Sequence, residues 1–576
     1  MCSKKLLFYN TCLIALFIIA LPEDAHTARA KEKLPTSNFK TFDLSAFNAT
    51  VEQVQSALKD AGLYKGIVDG RFNHDTERAI LEYQNREGLV LNPIASKELV
   101  KHIQSRKKVR SLLNQLQTQR LNAMEEAREA LLSQLEIRNL IFSSANNDAH
   151  EPKKNTAQCF INPTTKCLLD GASVSASKIF KNELRDWVLS EILVTQANAG
   201  LNTEASKTIR QIIDPRIILV ALRDISKARA LAGKSSEALN AASLIPDSKK
   251  RLEALVAIAS IQAKQKDMDG AVTTSLLLLN ELDQIDSPLK QVSLASEAVI
   301  VLSKSGEIAR ANEELAKIKI IINSNITLEQ RRPALRHIAN ILAKTGKPKK
   351  ALALIMNEPD VAEHTSILVS TAKVLAKAGY IQQAIQTAKR IKAIRYRSVV
   401  LSQIAIVQAE YGDAPGGGET LELAFEAAKK TTPPFAQAFA YEQICLALLE
   451  IRKLGGPDNF DLAVQTAGLI RDKKLHAHTL WSLATERLTT GDHRSAAKIK
   501  KMADEATKQI KSLYTRVWLL SEIALEHFIA KRKVLAWNFY KRALAIARDL
   551  DGALGRSRAL VRLASVLNKI QHIPNN

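Results

Sequence analysis

The sequence predicts an all-α protein: a small three-helix domain followed by a long α-solenoid of helix-turn-helix repeats. Three observations carry that expectation. Aromatic residues make up only 5% of the 576 residues although 46% are hydrophobic, a balance that suits packed helices better than a β-sandwich. Residues 48–104 alternate amphipathic stretches with glycine turns. Beyond residue 175, an apolar helix ending in Lys-x-Gly recurs, followed by a short turn and an Ala five residues past the Gly.

The N-terminus sets the compartment. Lys4 and Lys5 precede a mostly apolar stretch over residues 6–21, and Ala28-Arg29-Ala30 offers a cleavage site. That order of basic, apolar and small residues reads as a secretory signal peptide over residues 1–30. The protein is therefore expected in the periplasm, with secretion as the alternative. Cys12 lies in the apolar stretch without the small-residue context of a lipoprotein. No later run reaches about 18 uncharged apolar residues, so no transmembrane segment is expected in the mature chain. Residues 31–47, polar and containing Pro35, read as a linker.

Residues 48–104 read as helix, glycine-rich turn, helix, turn, helix. Thr50 is a suitable N-cap for a first helix that places Val51, Val54, Ala57 and Leu58 on one face. Gly62, Gly66 and Gly70 mark the turn, and a second helix opens between Asn73 and Thr76 and ends at Gly88. A third, short helix carries Leu99 and Ile103. The run Val54-Gln55, Leu58, Gly62-Leu63-Tyr64, Gly66, Val68-Asp69-Gly70-Arg71-Phe72, Thr76, Ala79-Ile80 and Tyr83-Gln84 resembles the peptidoglycan-binding domain of wall hydrolases and envelope proteins. The resemblance spans about 55 residues and implies binding to glycan or stem peptide. It departs at Leu91-Asn92-Pro93-Ile94, where the family often repeats an Asp-Gly turn. Taken singly, Asp69-Gly70 is a turn, Leu58, Phe72 and Ile80 are core, and Thr76 caps or packs the second helix. Taken together, Tyr64, Asp69, Gly70, Arg71, Tyr83 and Gln84 are the candidate ligand-binding residues, with Tyr64, Arg71, Tyr83 and Gln84 expected at a groove edge. Rings there cover sugar or peptide faces, and Arg pairs with stem-peptide carboxylates.

Residues 105–142 read as one long helix whose apolar residues are too irregular for a coiled coil, a spacer able to dock on the array. Residues 143–174, with Pro152 and Pro163, read as a linker. Within it, Cys159 and Cys167 either close a small disulfide loop in an oxidising compartment or remain two free thiols. Cys445, in an apolar stretch, reads as a buried small hydrophobe.

The segment from 175 to 576 is repetitive. Gly233 pairs with Ala238, Gly306 with Ala311, Gly346 with Ala351, Gly379 with Ala384 and Gly491 with Ala496, while Lys266 and Lys531 replace the Gly before Ala271 and Ala536. From Ala238 through Ala271, Ala311 and Ala351 to Ala384, and from Ala463 through Ala496 to Ala536, successive alanines lie 33 or 40 residues apart. Periods of that size with two helices each mean an α-solenoid. The units resemble degenerate tetratricopeptide repeats over residues 212–570, without that family's helix-A aromatics and terminal Pro. The resemblance implies a protein-interaction surface.

Net charge is +23. Residues 48–104 hold seven Lys or Arg against eight Asp or Glu, so the excess sits elsewhere on the mature chain. On an exported protein it faces anionic wall polymer, anionic lipid or an acidic protein, or is simply solvated; nucleic acid is not expected. No catalytic motif emerges. His476 and His478 are two apart and no H-E-x-x-H or G-x-S-x-G occurs. Lys344-Thr-Gly346 is the repeat's helix end, and Gly233-Lys234-Ser235 has Ala228 where a phosphate loop needs Gly. No catalytic residue, metal site or cofactor is expected. The sequence thus points to a non-enzymatic envelope protein that binds peptidoglycan and offers its repeats to another envelope protein. The alternatives are a hydrolase activator or unrecognised enzyme, and a module kept only for protein contacts or secretion.

Overall fold

The structure, a computed structural model, describes residues 47–133, 156–355 and 364–571. The expected leader, the linker up to residue 46, the long helix beyond Ser133 and residues 143–155 of the second linker lie outside the described residues. The chain divides into two compact units, Met1–Ala123 and Met124–Asn576. The described residues are overwhelmingly helical and contain no strand.

The first unit is built on α1 (Ala49–Asp60), α2 (His74–Glu87) and the start of α3 (Lys97–Ser133). Asn48, not Thr50, caps α1: its backbone is extended and its side chain accepts the Thr50 N–H at 2.8 Å, which leaves Thr50 inside the first turn. Asn73 caps α2 in the same manner, and Gly88 ends it with a left-handed backbone. The separate third helix and long helix expected from the sequence are one element. No Gly or Pro interrupts residues 97–133, so nothing stops the helix that Ser96 opens by accepting the Leu99 N–H. Val54, Leu58, Ile80, Leu99 and Ile103 form the core that joins the three helices.

The second unit contains α4 (Thr165–Ala176), α5 (Asn182–Asn198), α6 (Asn202–Ile209), α7 (Pro215–Leu231), α8 (Ser235–Ser243), α9 (Ser248–Gln265), α10 (Met268–Asn280) and α11 (Pro288–Lys304). It continues with α12 (Ile308–Ser324), α13 (Leu328–Lys344), α14 (Pro348–Ile355), α15 (Thr365–Lys377), α16 (Ile381–Lys389), α17 (Ile394–Glu410) and α18 (Ala414–Lys429). The last helices are α19 (Pro434–Lys453), α20 (Phe460–Gly468), α21 (Lys473–Thr489), α22 (His493–Gln509), α23 (Leu513–Ile529), α24 (Lys533–Arg548) and α25 (Ala553–Gln571). Each odd-numbered helix from α5 to α23 forms an antiparallel hairpin with the even-numbered helix after it.

The turn grammar read from the sequence is physically realised. Gly233, Gly306, Gly346, Gly379 and Gly491 all adopt positive φ, as the left-handed end of a helix requires, and Lys266 and Lys531 are forced to φ 68 and 61 in its place. The alanine five residues on is buried at each of these positions, where only a small side chain lets the two helices approach.

One expectation fails in an informative way. Residues 165–174 are not linker but the body of α4, capped by Thr164. α4 packs along α25, the last helix among the described residues, as the other even-numbered helices pack along the odd-numbered ones before them. Ser557 donates to the Ala172 carbonyl at 2.7 Å, and Arg558 holds Glu191 of α5 through two contacts of 3.1 Å. Each odd helix also packs on the next odd helix, and α25 packs on α5 in the same way. Among the described residues the array is therefore a closed ring of eleven helix pairs. Because successive odd helices are in firm contact and successive even helices are not, the odd helices form the inner wall.

The segment before α4 is tied into this closure. A helical turn at Thr156–Cys159 precedes it, and a disulfide joins Cys159 to Cys167, with Cα atoms 5.9 Å apart. The final turns of α3 belong to the second unit as well. Arg128 donates to the carbonyls of Ile212 and Arg210, and Leu131 is buried in the array core. No helix among the described residues is long and apolar enough to cross a membrane.

Candidate functional site

Between α1 and α2 of the first unit, residues 61–73 form a loop without regular structure, organised by one side chain that sequence reasoning did not single out. Gln55 sits on the apolar face of α1 with no solvent exposure. Its Oε1 accepts the N–H groups of Asp69 and Gly70 at 3.1 and 2.9 Å, and its Nε2 donates to the Arg71 carbonyl at 2.9 Å and the Thr76 hydroxyl at 3.0 Å. A buried amide that satisfies two backbone donors and a carbonyl fixes the loop's path, since any of those groups left unpaired costs about 1–3 kcal/mol. The available signal was a polar residue at a buried helical position, between Val54 and Leu58.

The six candidate residues do not share one surface. Tyr64 is buried, with its hydroxyl donating to the Ile67 carbonyl at 2.9 Å. Tyr83 is buried too, hydrogen-bonded to His102 at 2.8 Å, and burial together with the nearby Glu87 carboxylate pushes its phenol up to about 12. Gln84 is 1% exposed and clamps the second loop, donating to the Asn92 carbonyl and accepting the Asn92 N–H. Their expected place at a groove edge is thus corrected: all three are core or scaffold. The Leu91-Asn92-Pro93-Ile94 departure is where Gln84 does its clamping.

Asp69, Gly70 and Arg71 do lie together on the first loop. Gly70 has φ 69, and a Cβ there would come within 2.6 Å of the Phe47 ring, so both backbone angle and space demand glycine. Asp69 is exposed; the Arg71 N–H and the Gln55 amide bonded to its carboxylate hold its pKa below the usual range. Lys65, Ile67 and Arg71 are exposed beside it. This loop presents two cations, one carboxylate and an apolar side chain on a backbone held rigid from beneath.

The array offers a second concavity, a cleft of ≈ 170 Å³ over α19, α21 and α23 lined by Glu450, Glu486, Glu526, His527 and Arg532 among others. Its acids are committed. Arg452 pairs with Glu486, Lys453 with Glu450 and Glu486, and His478 bridges Glu442 at 2.9 Å and Glu526 at 3.2 Å. Burial works against a charged His478, but its two carboxylate partners outweigh it and hold its pKa well above the ordinary value. His527 is driven the other way, to about 4, by burial and by Arg532. Among the described residues no group of three or more His, Cys, Asp or Glu is placed to hold a metal ion.

Residues 48–103 match the model of a family described as "Putative peptidoglycan binding domain". No curated protein matches the chain. Solved structures that match it include two at low identity. The crystal structure of Ton1535 from Thermococcus onnurineus NA1 is 16% identical, covering 56% of this chain and 99% of that one with a TM-score of 0.25. A circular tandem repeat protein with novel repeat topology and enhanced subunit contact surfaces is 14% identical, covering 78% of this chain and 96% of that one with a TM-score of 0.14. No fold is inferred from likenesses this slight.

Proposed function

We propose that this chain is an exported envelope protein that grips peptidoglycan through its N-terminal module and presents its helical ring to another envelope protein. The observation that carries the reading is the family match over residues 48–103, which coincides with a hydrophobic core of its own and a pinned, exposed loop. Lys65 and Arg71 on that loop suit the carboxylates of a stem peptide, and Ile67 suits its apolar atoms. The ring adds a large inner wall of the kind by which repeat proteins hold partners through many modest contacts. Anchoring to the wall raises the partner's effective concentration there. Export rests on the basic, apolar and small-residue order of residues 1–30, and predicts a mature chain that begins after Ala30 in the periplasmic fraction. The committed acids of the array favour a scaffold over a hydrolase.

Co-sedimentation with purified sacculi tests the wall-binding half. The full chain is expected to pellet with sacculi, and Lys65→Ser/Arg71→Ser to bind about tenfold more weakly, the loss of one or two charge-assisted hydrogen bonds. Failure of the parent chain to pellet at low salt removes the wall-binding role. For the platform half, sacculi loaded with the full chain should retain envelope proteins that bare sacculi do not. Release of soluble muropeptides by the chain alone would instead favour an enzyme.

A further inference from the structure

The Lys-x-Gly motif that ends the helices has a role in the turn for its glycine and none yet for its lysine. Lys264, Lys304, Lys344 and Lys377 occupy that position in α9, α11, α13 and α15, four successive helices of the inner wall. The motif's neighbours bound this run: Leu231 stands there in α7 and Glu410 in α17. A lysine in the last turn of any helix is favoured by the helix dipole, which would account for each residue alone. It does not account for their convergence. Burial and the charge of Lys344 hold Lys304 below the ordinary lysine range against the opposing pull of Glu297, with Lys264 and Lys377 adding to the depression. Lys373, one turn before Lys377, is depressed by burial and by Lys377. Lys304 and Lys377 have ample exposed surface of their own. Because α9, α11, α13 and α15 pack in succession along the inner wall, their motif lysines form a row of cations on neighbouring helices.

The opposite composition occurs farther round the ring, and there the charges are neutralised. Lys453 holds the same motif position in α19 and pairs with Glu450 and Glu486. In the basic arc the one ion pair among the described residues is Lys344 with Glu297 at 3.5 Å. Lys264, Lys304, Lys373 and Lys377 have no carboxylate partner among the described residues. Among the described residues, five cations on neighbouring helices with one carboxylate paired to them raise each other's free energy, and an anionic partner would relieve that repulsion.

We infer that the arc formed by Lys264, Lys304, Lys344, Lys373 and Lys377 is a docking surface for an extended, acidic polypeptide segment of the partner protein. Packed helices lie about 8–10 Å apart, and side chains converging from a concave wall come closer. In an extended chain, carboxylates two or three residues apart are separated by roughly 7–10 Å. One acidic side chain can therefore meet each lysine in turn. Lysine, a compact point charge without a planar fork, suits flexible carboxylates and sets no demand for bidentate geometry. The inference rests on the reading of the ring as a platform for a protein partner and adds the chemistry of that partner.

The test uses the full chain and a fluorescein-labelled peptide in which Glu alternates with Ser, followed by fluorescence anisotropy at several salt concentrations. The parent is expected to bind, and Lys304→Ser/Lys344→Ser/Lys377→Ser to bind at least tenfold more weakly with a flatter salt dependence. Lys498→Ser/Lys500→Ser/Lys501→Ser removes the same charge from exposed positions on α22, in the outer layer, and is expected to stay within twofold of the parent. Equal losses in the two variants, or no binding by the parent, overturn the proposal. So does displacement of the peptide by inorganic tripolyphosphate at lower concentration than by unlabelled peptide, which would assign the arc to a phosphate-bearing ligand. Circular dichroism and sacculus binding, both expected to be unchanged in the arc variant, keep misfolding and failure of the wall-binding role distinct. Retention of an envelope protein by loaded sacculi despite a failed peptide test would remove only the acidic chemistry, leaving the platform.

Discussion

The two units of this protein achieve a defined structure in opposite ways. The N-terminal module has three helical segments, a small apolar core and two buried amides, Gln84 holding the second loop and Gln55 the main loop. The ring repeats one joint many times: a left-handed residue, a short turn and a buried alanine, with no single side chain responsible for the whole. A small domain buries little surface and has a narrow margin of stability, so one polar network decides whether it folds. A repeat array spreads its stability over neighbouring interfaces. Here closure adds one more interface and removes both ends.

The sharpest way to break this contrast is at Gln55. Gln55→Leu keeps the volume but orphans the Asp69 and Gly70 N–H groups and the Arg71 carbonyl, at a cost of about 3 kcal/mol or more. Calorimetry should show the module's transition lost or strongly lowered while that of the ring stays, and sacculus binding should fail. An unchanged module would mean that the loop does not depend on this amide.

Leu169→Ala, at a fully buried position of α4, should cost about 2–5 kcal/mol. Hydrogen exchange is expected to rise in α4 and α25 first, with α11 and α13 still protected. Uniform loss of protection around the ring would show that the seam is no weaker than any other joint.

His478→Gln leaves the buried Glu442 without its cation, a loss of roughly 2–3 kcal/mol, less than a fully buried pair because Glu526 is half exposed. The pH dependence has a definite sign. The folded-state pKa of His478 is raised, so its contribution is complete below the unfolded value near 6.5 and is lost as pH rises through the higher folded value. The melting temperatures of parent and variant should differ most in mildly acid buffer and converge in alkaline buffer. A constant gap would exclude titration of this group as the cause.

The smallest effect is a gain. Lys266→Gly replaces a residue at φ 68 and should stabilise the ring by about 0.5–1 kcal/mol, because relief of the left-handed strain exceeds the entropic cost of glycine. Denaturant midpoints would register it; a loss would mean that the lysine side chain makes compensating contacts.

Much of this protein is legible in its sequence because the signals are local. Helix caps such as Asn73, the glycine or lysine in the left-handed turn of each repeat hairpin, and the alanine after it act within one or two turns, so period and spacing reveal the repeat. The module's motif was equally visible. Which of its residues face a ligand was not, since Tyr64, Tyr83 and Gln84 carry groups that suit a binding groove and a satisfied core alike, and only their own burial and their bonds to Ile67, His102 and Asn92 decide between the two. Tertiary structure alone decided that α4 completes the last helix pair. Ser557 and Ala172 meet across 385 positions of the chain, and no local pattern encodes a contact between two ends that become neighbours only when the stacked helices curve back on themselves. The basic arc is of the same kind: four lysines, each a repeat length from the next in sequence, are brought into one row by the packing of the helices that carry them.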